Sequence, residues 1–244
     1  MKNPWILIGV IAVLLIGTAV WYSGTVNERY NNGVVVEDHI KGNPDAAVKL
    51  VEYSDFQCPA CAQFHPYIIE IMDVYGDQLS FEYRHFPLTQ IHPFAEPAAR
   101  AAEAAGQQGK FFEYHDLLFT NQTTWSASGN PSQYFLQYAE ELGLDIEQFT
   151  RQQRSSLLSE RIRSQFSEAR NLGFTGTPSF TLNREKMVFS SYADFKSQIE
   201  QAINPTVQIN TDMSTTDTAG NETGTSSTIE ATVDTNAPTV RFGL

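Results

Sequence analysis

The sequence predicts an α/β domain with a mixed central sheet, built from a β-α-β half, a helical insertion and a β-β-α half. The first observation is the run VKLVEY (48–53), which is apolar except for Lys49 and Glu52 and has the length of a buried strand. Apolar residues at helical spacing follow from 62 to 75, and LSFEYRHF (79–86) is the next strand. A β-α-β unit of this kind joins two parallel strands through a right-handed crossover.

The second observation is a stretch of helical patterns after this strand, at about 92–172. The segments predicted as helices are 97–105, 109–120, 131–143 and 145–171, the last of them begun by a capping pair of Asp145 and Gln148. The aromatic residues of this block are interpreted as core; they are Phe111, Phe112, Tyr114 and Phe119.

The third observation is a pair of short apolar runs, 178–182 and 186–189, around a turn at Asn183-Arg184. A helical pattern over 192–203 follows them. The second half is therefore expected to return to the sheet as a hairpin and to end in a helix, which closes a domain at 34–204.

The N-terminus contains an uncharged segment, PWILIGVIAVLLIGTAVWY (4–22), that is long enough to cross a bilayer. A cleaved signal peptide is the rival interpretation, but its cleavage site would match only partially at Gly17-Thr18-Ala19. We therefore predict a short cytoplasmic N-terminus (1–3), a transmembrane anchor (4–22) and a linker (23–33).

The C-terminal segment 205–244 is dominated by Ser, Thr, Asn, Asp and Gly, and it is predicted to be disordered because it offers little apolar surface to bury. The chain has a net charge of −12 and no basic stripe. A nucleic-acid partner is therefore not expected.

The chain has two cysteines, Cys58 and Cys61, in the motif CPAC directly after the first predicted strand. The start of the following helix carries partial positive charge, which stabilises a thiolate on Cys58. Pro59 is compatible with a first helical turn, and Cys61 lies one turn further on, where it can close a disulfide. The spacing indicates a redox pair in which Cys58 is attacked and Cys61 is the resolving cysteine.

Two other interpretations of the pair remain open. A metal module, for example for copper delivery, would use both cysteines with His65 and with His85 or His92. A purely structural disulfide is weaker, because so short a loop constrains the unfolded chain very little. His92 and His115 are otherwise interpreted as surface or capped histidines.

Glu52 lies within the apolar strand, on the same face as Val48 and Leu50. An acid near a strand end can reach water. Alternatively, Glu52 is a buried proton acceptor that serves Cys61 during exchange. Both interpretations of Glu52 are compatible with the sequence.

The segments KLVEYSDFQCPACAQF and, far downstream, GFTGTPSF together resemble the DsbA-like thioredoxin-fold disulfide oxidoreductases, in particular their membrane-anchored BdbD-like branch. The resemblance covers about 34–204 and implies a thioredoxin fold. It implies catalytic roles for Cys58, Cys61, Glu52 and a cis-proline at Pro178. It also implies that substrate binds at an edge made by Thr177, Gly176, Pro59 and Ala60.

The implied activity is the introduction of disulfides into exported proteins on the extracytoplasmic side of the cell membrane. The implied partners are reduced exported polypeptides and a quinone-linked, DsbB- or VKOR-like membrane thiol oxidase, with the Cys58–Cys61 disulfide in place of any other cofactor. A reductase of the same fold stays open, since direction depends on the reduction potential. Many strongly oxidising members have His where this chain has Ala60, so a less extreme oxidant is expected.

Overall fold

The computed structural model describes residues 4–205 and contains a five-stranded mixed sheet. The strand order is β1-β3-β2-β4-β5. Strands β2 and β3 are parallel and every other neighbouring pair is antiparallel. The predicted mixed sheet is confirmed. The strands are β1 (His39–Gly42), β2 (Val48–Ser54), β3 (Leu79–His85), β4 (Ser179–Leu182) and β5 (Glu185–Lys186).

Nine helices are assigned within the described residues, and six of them, α3 to α8, lie between β3 and β4 in the chain, where the insertion was predicted. The helices are α1 (Pro4–Asn31), α2 (Pro59–Tyr75), α3 (Ala95–Gly106), α4 (Phe111–Thr120), α5 (Gln122–Ser126), α6 (Pro131–Glu141), α7 (Ile146–Gln152), α8 (Ser156–Asn171) and α9 (Tyr192–Ile203).

The prediction of one helix over 145–171 is wrong, because the chain forms α7 and α8 with a break between them. Ser155 begins the second helix: its hydroxyl accepts hydrogen bonds from the backbone N–H groups of Leu157 and Leu158. The Asp145 side chain caps α7 by accepting from the Gln148 N–H, as the capping pair predicts.

Strand β1 was not predicted, because its sequence HIKG has none of the apolar alternation that marks a strand. It ends at Gly42, whose φ of +84° favours glycine, and a Cβ there would lie 2.5 Å from the Leu79 carbonyl oxygen.

The strand predicted at 186–189 is wrong in extent. Strand β5 stops at Lys186, and Val188 is 82% exposed, so the longer strand would bury little.

Helix α1 is apolar and its described side chains are mostly exposed. By length and composition it is the one helix in the described part of the chain that could cross a membrane, a criterion that a signal sequence also meets. It continues to Asn31 through most of the predicted linker, and Asn27 and Asn31 hydrogen-bond to Ser156 at the start of α8. The predicted N-terminus 1–3, and 206–244 of the predicted disordered tail, lie outside the described residues.

The chain divides into two compact units, Met1–Lys186 and Met187–Leu244. In the second, Ser191 caps α9 by accepting from the Asp194 N–H, and the Phe189 and Phe195 rings pack at 5.0 Å. The first contains the sheet and helices α1 to α8, and the residues of the candidate site lie within it.

Aromatic side chains form the packing beneath the loop that joins β2 to α2. Phe56 lies 5.0 Å from the Tyr83 ring and 5.1 Å from the Phe119 ring. Phe111, Tyr114 and Phe119 are each at most 4% exposed, which confirms them as core residues. This buried ring cluster fixes the loop that carries the cysteines, because rigid aromatic packing leaves little room for movement.

Candidate active site

Cys58 is the residue at which strand structure ends and α2 begins. Its backbone is extended (φ −73°, ψ 121°), it occupies the N-cap position, and Pro59 follows as the first helical residue. Proline fits there because the N–H that it lacks has no partner in a first helical turn. The backbone N–H groups of the first turn of α2 have no partner within the helix, and those of Ala60 and Cys61 hydrogen-bond to the Cys58 sulfur.

The loop before Cys58 is held by Asp55, which is 1% exposed. Its Oδ1 accepts from the Gln57 N–H at 2.7 Å, and its Oδ2 accepts from the Leu88 N–H at 2.8 Å. His92 Nδ1 lies 2.8 Å from Oδ2 of the same carboxylate, so His92 is a capped histidine, one of the two predicted states. The carboxylate thus fastens the loop to the segment after β3.

The Cys58 Sγ lies against the loop before β4, 3.4 Å from the Thr177 carbonyl oxygen, which accepts a hydrogen bond from the sulfur when Cys58 is protonated. The Thr177–Pro178 peptide bond is cis. Cys58 is 7% exposed and Cys61 is fully buried, and both are free thiols. The structure therefore brings the CPAC motif and the distant Thr-Pro segment together, as the resemblance implies.

The two thiols have opposite electrostatic environments. A hydrogen bond from the Cys61 thiol is the main cause that lowers the pKa of Cys58 from 9.0 to about 6, and the backbone N–H groups of Cys61 and Ala60 add to it against the opposing effect of burial. Burial raises the pKa of Cys61 well above 9.0, and the neighbouring Cys58 and Glu52 raise it further. At neutral pH Cys58 is a thiolate and Cys61 is a thiol.

Glu52 lies in the centre of the sheet, opposite Tyr83 of β3 on one side and Phe180 of β4 on the other. It is 2% exposed, so the interpretation in which it reaches water is wrong. Burial raises the pKa of the Glu52 carboxyl from 4.5 to about 7, and the nearby Cys58 thiolate raises it as well. The carboxyl can therefore hold or release a proton near neutral pH.

The residues predicted to bind substrate lie next to the Cys58 sulfur in two segments. Pro59 is exposed and Ala60 partly exposed at the start of α2, while Gly176 and Thr177 are partly exposed before β4. The Gly176 carbonyl accepts a hydrogen bond from the Ser179 hydroxyl at 2.7 Å, which orders this segment.

Gln122 is a site residue that sequence reasoning missed. Its side-chain amide donates to the carbonyl oxygens of Phe56 and Cys58, both at 2.8 Å, and thereby fixes the backbone of the redox loop. Gln122 is in α5, a five-residue helix without a hydrophobic pattern, so only the tertiary fold shows this contact.

Two of the three histidines named for a metal module, His85 and His92, have other partners. His85 Nε2 lies 3.0 Å from a Glu103 oxygen, and His92 contacts Asp55. Among residues 4–205, the group that could share an ion joins His65 to His115 and Asp116 and contains neither cysteine. His115 is 2% exposed and its Nδ1 lies 2.9 Å from Asp116 Oδ1, so it is a capped and not a surface histidine, the second of the two predicted states.

Comparison with known proteins agrees with this geometry. A family model described as Thioredoxin matches residues 35–201. The crystal structure of a thioredoxin-like oxidoreductase from Silicibacter pomeroyi DSS-3 superposes with a TM-score of 0.57 at 29% identity, over 73% of this chain and 95% of that one. The oxidised BdbD from Bacillus subtilis shares the fold with a TM-score of 0.59 at 20% identity, over 71% and 94% of the two chains.

Curated relatives with similar sequence bear the name Na(+)/H(+) antiporter NhaA. NhaA 1 of Mycobacterium sp. (strain KMS) is 40% identical over 151 residues, which are 61% of this chain and 24% of the antiporter. The chain thus spans about a quarter of the length of these relatives, and their name gives no information on its activity.

Proposed function

The chain belongs to the thioredoxin family, and from this membership we propose that it is a DsbA-like protein thiol–disulfide oxidoreductase acting through Cys58 and Cys61. The observation that carries the proposal is the position of the Cys58 sulfur, at the start of α2 and 3.4 Å from the Thr177 carbonyl oxygen. A thiolate there is both stabilised and adjacent to a segment that can hold a polypeptide.

The oxidised enzyme carries a Cys58–Cys61 disulfide and uses no other cofactor. A substrate thiolate attacks Cys58 Sγ, the Cys58–Cys61 bond breaks, and Cys61 leaves with the electron pair and takes up a proton. The second substrate thiolate then attacks the substrate sulfur of the mixed disulfide and releases Cys58 as a thiolate. The substrate loses two electrons to form a disulfide, and the enzyme gains them as a dithiol.

Glu52 is the proton donor and acceptor for Cys61 in this scheme. Cys61 has a raised pKa and is fully buried, so it cannot leave as a stable anion without a proton. The Glu52 carboxyl, with a pKa of about 7, supplies that proton during substrate oxidation and removes it when the disulfide is re-formed.

Substrate lies along the segment before β4. Thr177 and Gly176 offer backbone groups to an extended peptide in the manner of an added strand. Pro178 follows Thr177 in the same segment, and Pro59 and Ala60, next to Cys58 and accessible to solvent, are expected to contact the peptide from the other side. This arrangement brings a peptide sulfur to Cys58 without selecting its side chains closely, which suits a broad range of unfolded substrates.

The direction of exchange follows from the stability of the reduced form. At pH 7, a pKa of about 6 for Cys58 favours its thiolate about tenfold over the thiol, which makes the couple about 30 mV more oxidising than one with an ordinary thiol. The shift is toward the oxidising side, and the direction of exchange depends on the reduction potential relative to that of the compartment.

Replacing Ala60 with histidine is expected to lower the pKa of Cys58 further, because an imidazolium beside the sulfur stabilises the thiolate. A fall of one unit would shift the equilibrium with glutathione by up to about tenfold, or about 30 mV. The matched control is Gln63→His, which places an imidazole on the exposed surface of α2 one turn away. An unchanged equilibrium in the Ala60→His chain would contradict this account of oxidant strength.

The proposed location is the extracytoplasmic side of the cell membrane, with α1 as a single-pass anchor. Reduced exported polypeptides are the substrates. A quinone-linked, DsbB- or VKOR-like membrane thiol oxidase re-forms the disulfide, and anchoring raises the rate at which the two proteins meet.

A Cys61→Ala variant tests the proposed function, because it can be captured in mixed disulfides through Cys58 but cannot resolve them. We expect it to accumulate covalent adducts with exported proteins, separated on non-reducing gels and identified by mass spectrometry. The double variant Cys58→Ala/Cys61→Ala is the control and should trap nothing. Adducts limited to cytosolic proteins, or their complete absence, would count against the proposal.

A further inference from the structure

Two buried histidines and a carboxylate converge where α2 packs near α4, one helical turn beyond Cys61. His65 of α2 is 6% exposed and His115 of α4 is 2% exposed. With Asp116 they offer three potential ligand atoms that all lie within 4.8 Å of one another. The redox chemistry proposed above does not use these groups, although the His115 ring also packs against Phe56 at 5.6 Å and Tyr83 at 4.8 Å in the aromatic cluster beneath the redox loop.

Both imidazoles have a ring nitrogen without a hydrogen-bond partner: the Nε2 atoms of His65 and His115 are buried and unpaired. Buried polar atoms without a partner are uncommon, because each costs the free energy of desolvation. Asp116 Oδ1 lies 2.9 Å from His115 Nδ1 and 3.4 Å from His65 Nε2. Loss of the Nδ1 proton when an ion binds leaves a lone pair on His115 Nδ1 beside Asp116 Oδ1, while His65 offers the lone pair of its Nε2 in the surroundings of the same oxygen.

We propose that His65, His115 and Asp116 bind a divalent transition-metal ion of the Zn²⁺ class. Two imidazoles and a carboxylate are a common ligand set for such ions, with water in the remaining positions. The Asp116 side chain is 36% exposed and provides the route to solvent. The ion would link the helix that carries the redox pair to the helical insertion.

Lys41 of β1 is the charged group that opposes this ion. Its Nζ lies 3.9 Å from Asp116 Oδ2, and its side chain is 39% exposed, so it can turn toward water when a cation binds. Its positive charge nevertheless weakens binding by Coulomb repulsion. Removing that charge should therefore strengthen metal binding, the opposite of the effect expected from removing a ligand.

Calorimetric titration with Zn²⁺ of the full chain in detergent tests the proposal, on a Cys58→Ser/Cys61→Ser background that removes binding to the thiols. We expect one Zn²⁺ per chain. His115→Gln and Asp116→Asn should each weaken affinity at least tenfold, and Lys41→Gln should tighten it severalfold. Glu113→Gln is the matched control: Glu113 is on the same helix but is paired with Lys110 at the surface.

Thermal unfolding with and without Zn²⁺ distinguishes a folded variant that has lost the ion from a variant that does not fold. An ion that binds the native state raises the melting temperature of the chain. His65→Gln is the second ligand variant and should lose that rise while retaining a cooperative transition. The proposal is overturned if the background chain binds no Zn²⁺, or if all variants, including Glu113→Gln, bind it with equal affinity.

Discussion

Serine in place of Cys58 is expected to reduce dithiol oxidation to the uncatalysed background. A hydroxyl cannot form a mixed disulfide, and no other sulfur in the active site can take its role because Cys61 is fully buried. Oxidation of a fluorescent dithiol peptide by the oxidised chain, followed by stopped flow, measures the effect. The substitution is nearly isosteric, so the fold should be retained.

The matched variant is Cys61→Ser, which keeps the attacking sulfur but cannot close the disulfide. It should also fail in multiple-turnover oxidation, yet it should still form a mixed disulfide with an activated thiol reagent, which Cys58→Ser should not. Equal labelling of the two variants would show that Cys58 is not the reactive nucleophile.

Glu52→Gln is expected to slow exchange about a hundredfold at neutral pH, a typical contribution of a positioned acid–base group. Glutamine keeps the shape of the side chain but can neither give a proton to Cys61 nor take one from it. The rate of the wild-type chain should depend on pH with a midpoint near 7, and the variant should lose that dependence. The matched control is Glu82→Gln, since Glu82 is on β3 next to the Glu52 partner but is paired with Arg84.

The same substitution should stabilise the fold at alkaline pH. The pKa of the Glu52 carboxyl is about 7 in the folded chain and 4.5 in the unfolded chain. Between pH 4.5 and 7 the folded state therefore keeps a proton on Glu52 that the unfolded state has lost. Stability from this group is complete below pH 4.5 and is lost as pH rises through 7, by about 3 kcal/mol in total. Urea unfolding at pH 8 should therefore show Glu52→Gln to be more stable than wild type. A variant that is both less stable at pH 8 and fully active would contradict the assigned role.

Much of the fold follows from short-range pattern. The β2–α2–β3 unit and helix α9 have strong apolar periodicity, and the structure has them where the sequence predicts them. The break at Ser155 and strand β1 were missed for different reasons. Ser155 is a cap whose neighbours continue the helical pattern, and β1 is a polar edge strand that is specified only by its pairing with β3.

The residues of the candidate site also fall into two groups: those that local sequence pattern predicts and those that only the tertiary fold shows. The CPAC motif at a strand–helix junction is readable from the sequence, because its chemistry depends on local position. The burial of Glu52 could be suspected only from alternation along the strand, and its extent depends on β3 and β4 on either side. Gln122, His115 and Asp116 come from segments more than 50 residues beyond the cysteines in the chain. Their roles depend on tertiary contacts that no local pattern encodes.

The measurement that tests the central claim most directly is the pH titration of the Cys58 thiolate by its ultraviolet absorbance, in the reduced full chain. The account predicts a midpoint near 6, caused by the Cys61 thiol and the N–H groups at the start of α2, and the loss of this transition in Cys58→Ser. A midpoint above about 8, in the range of a free thiol, would contradict it.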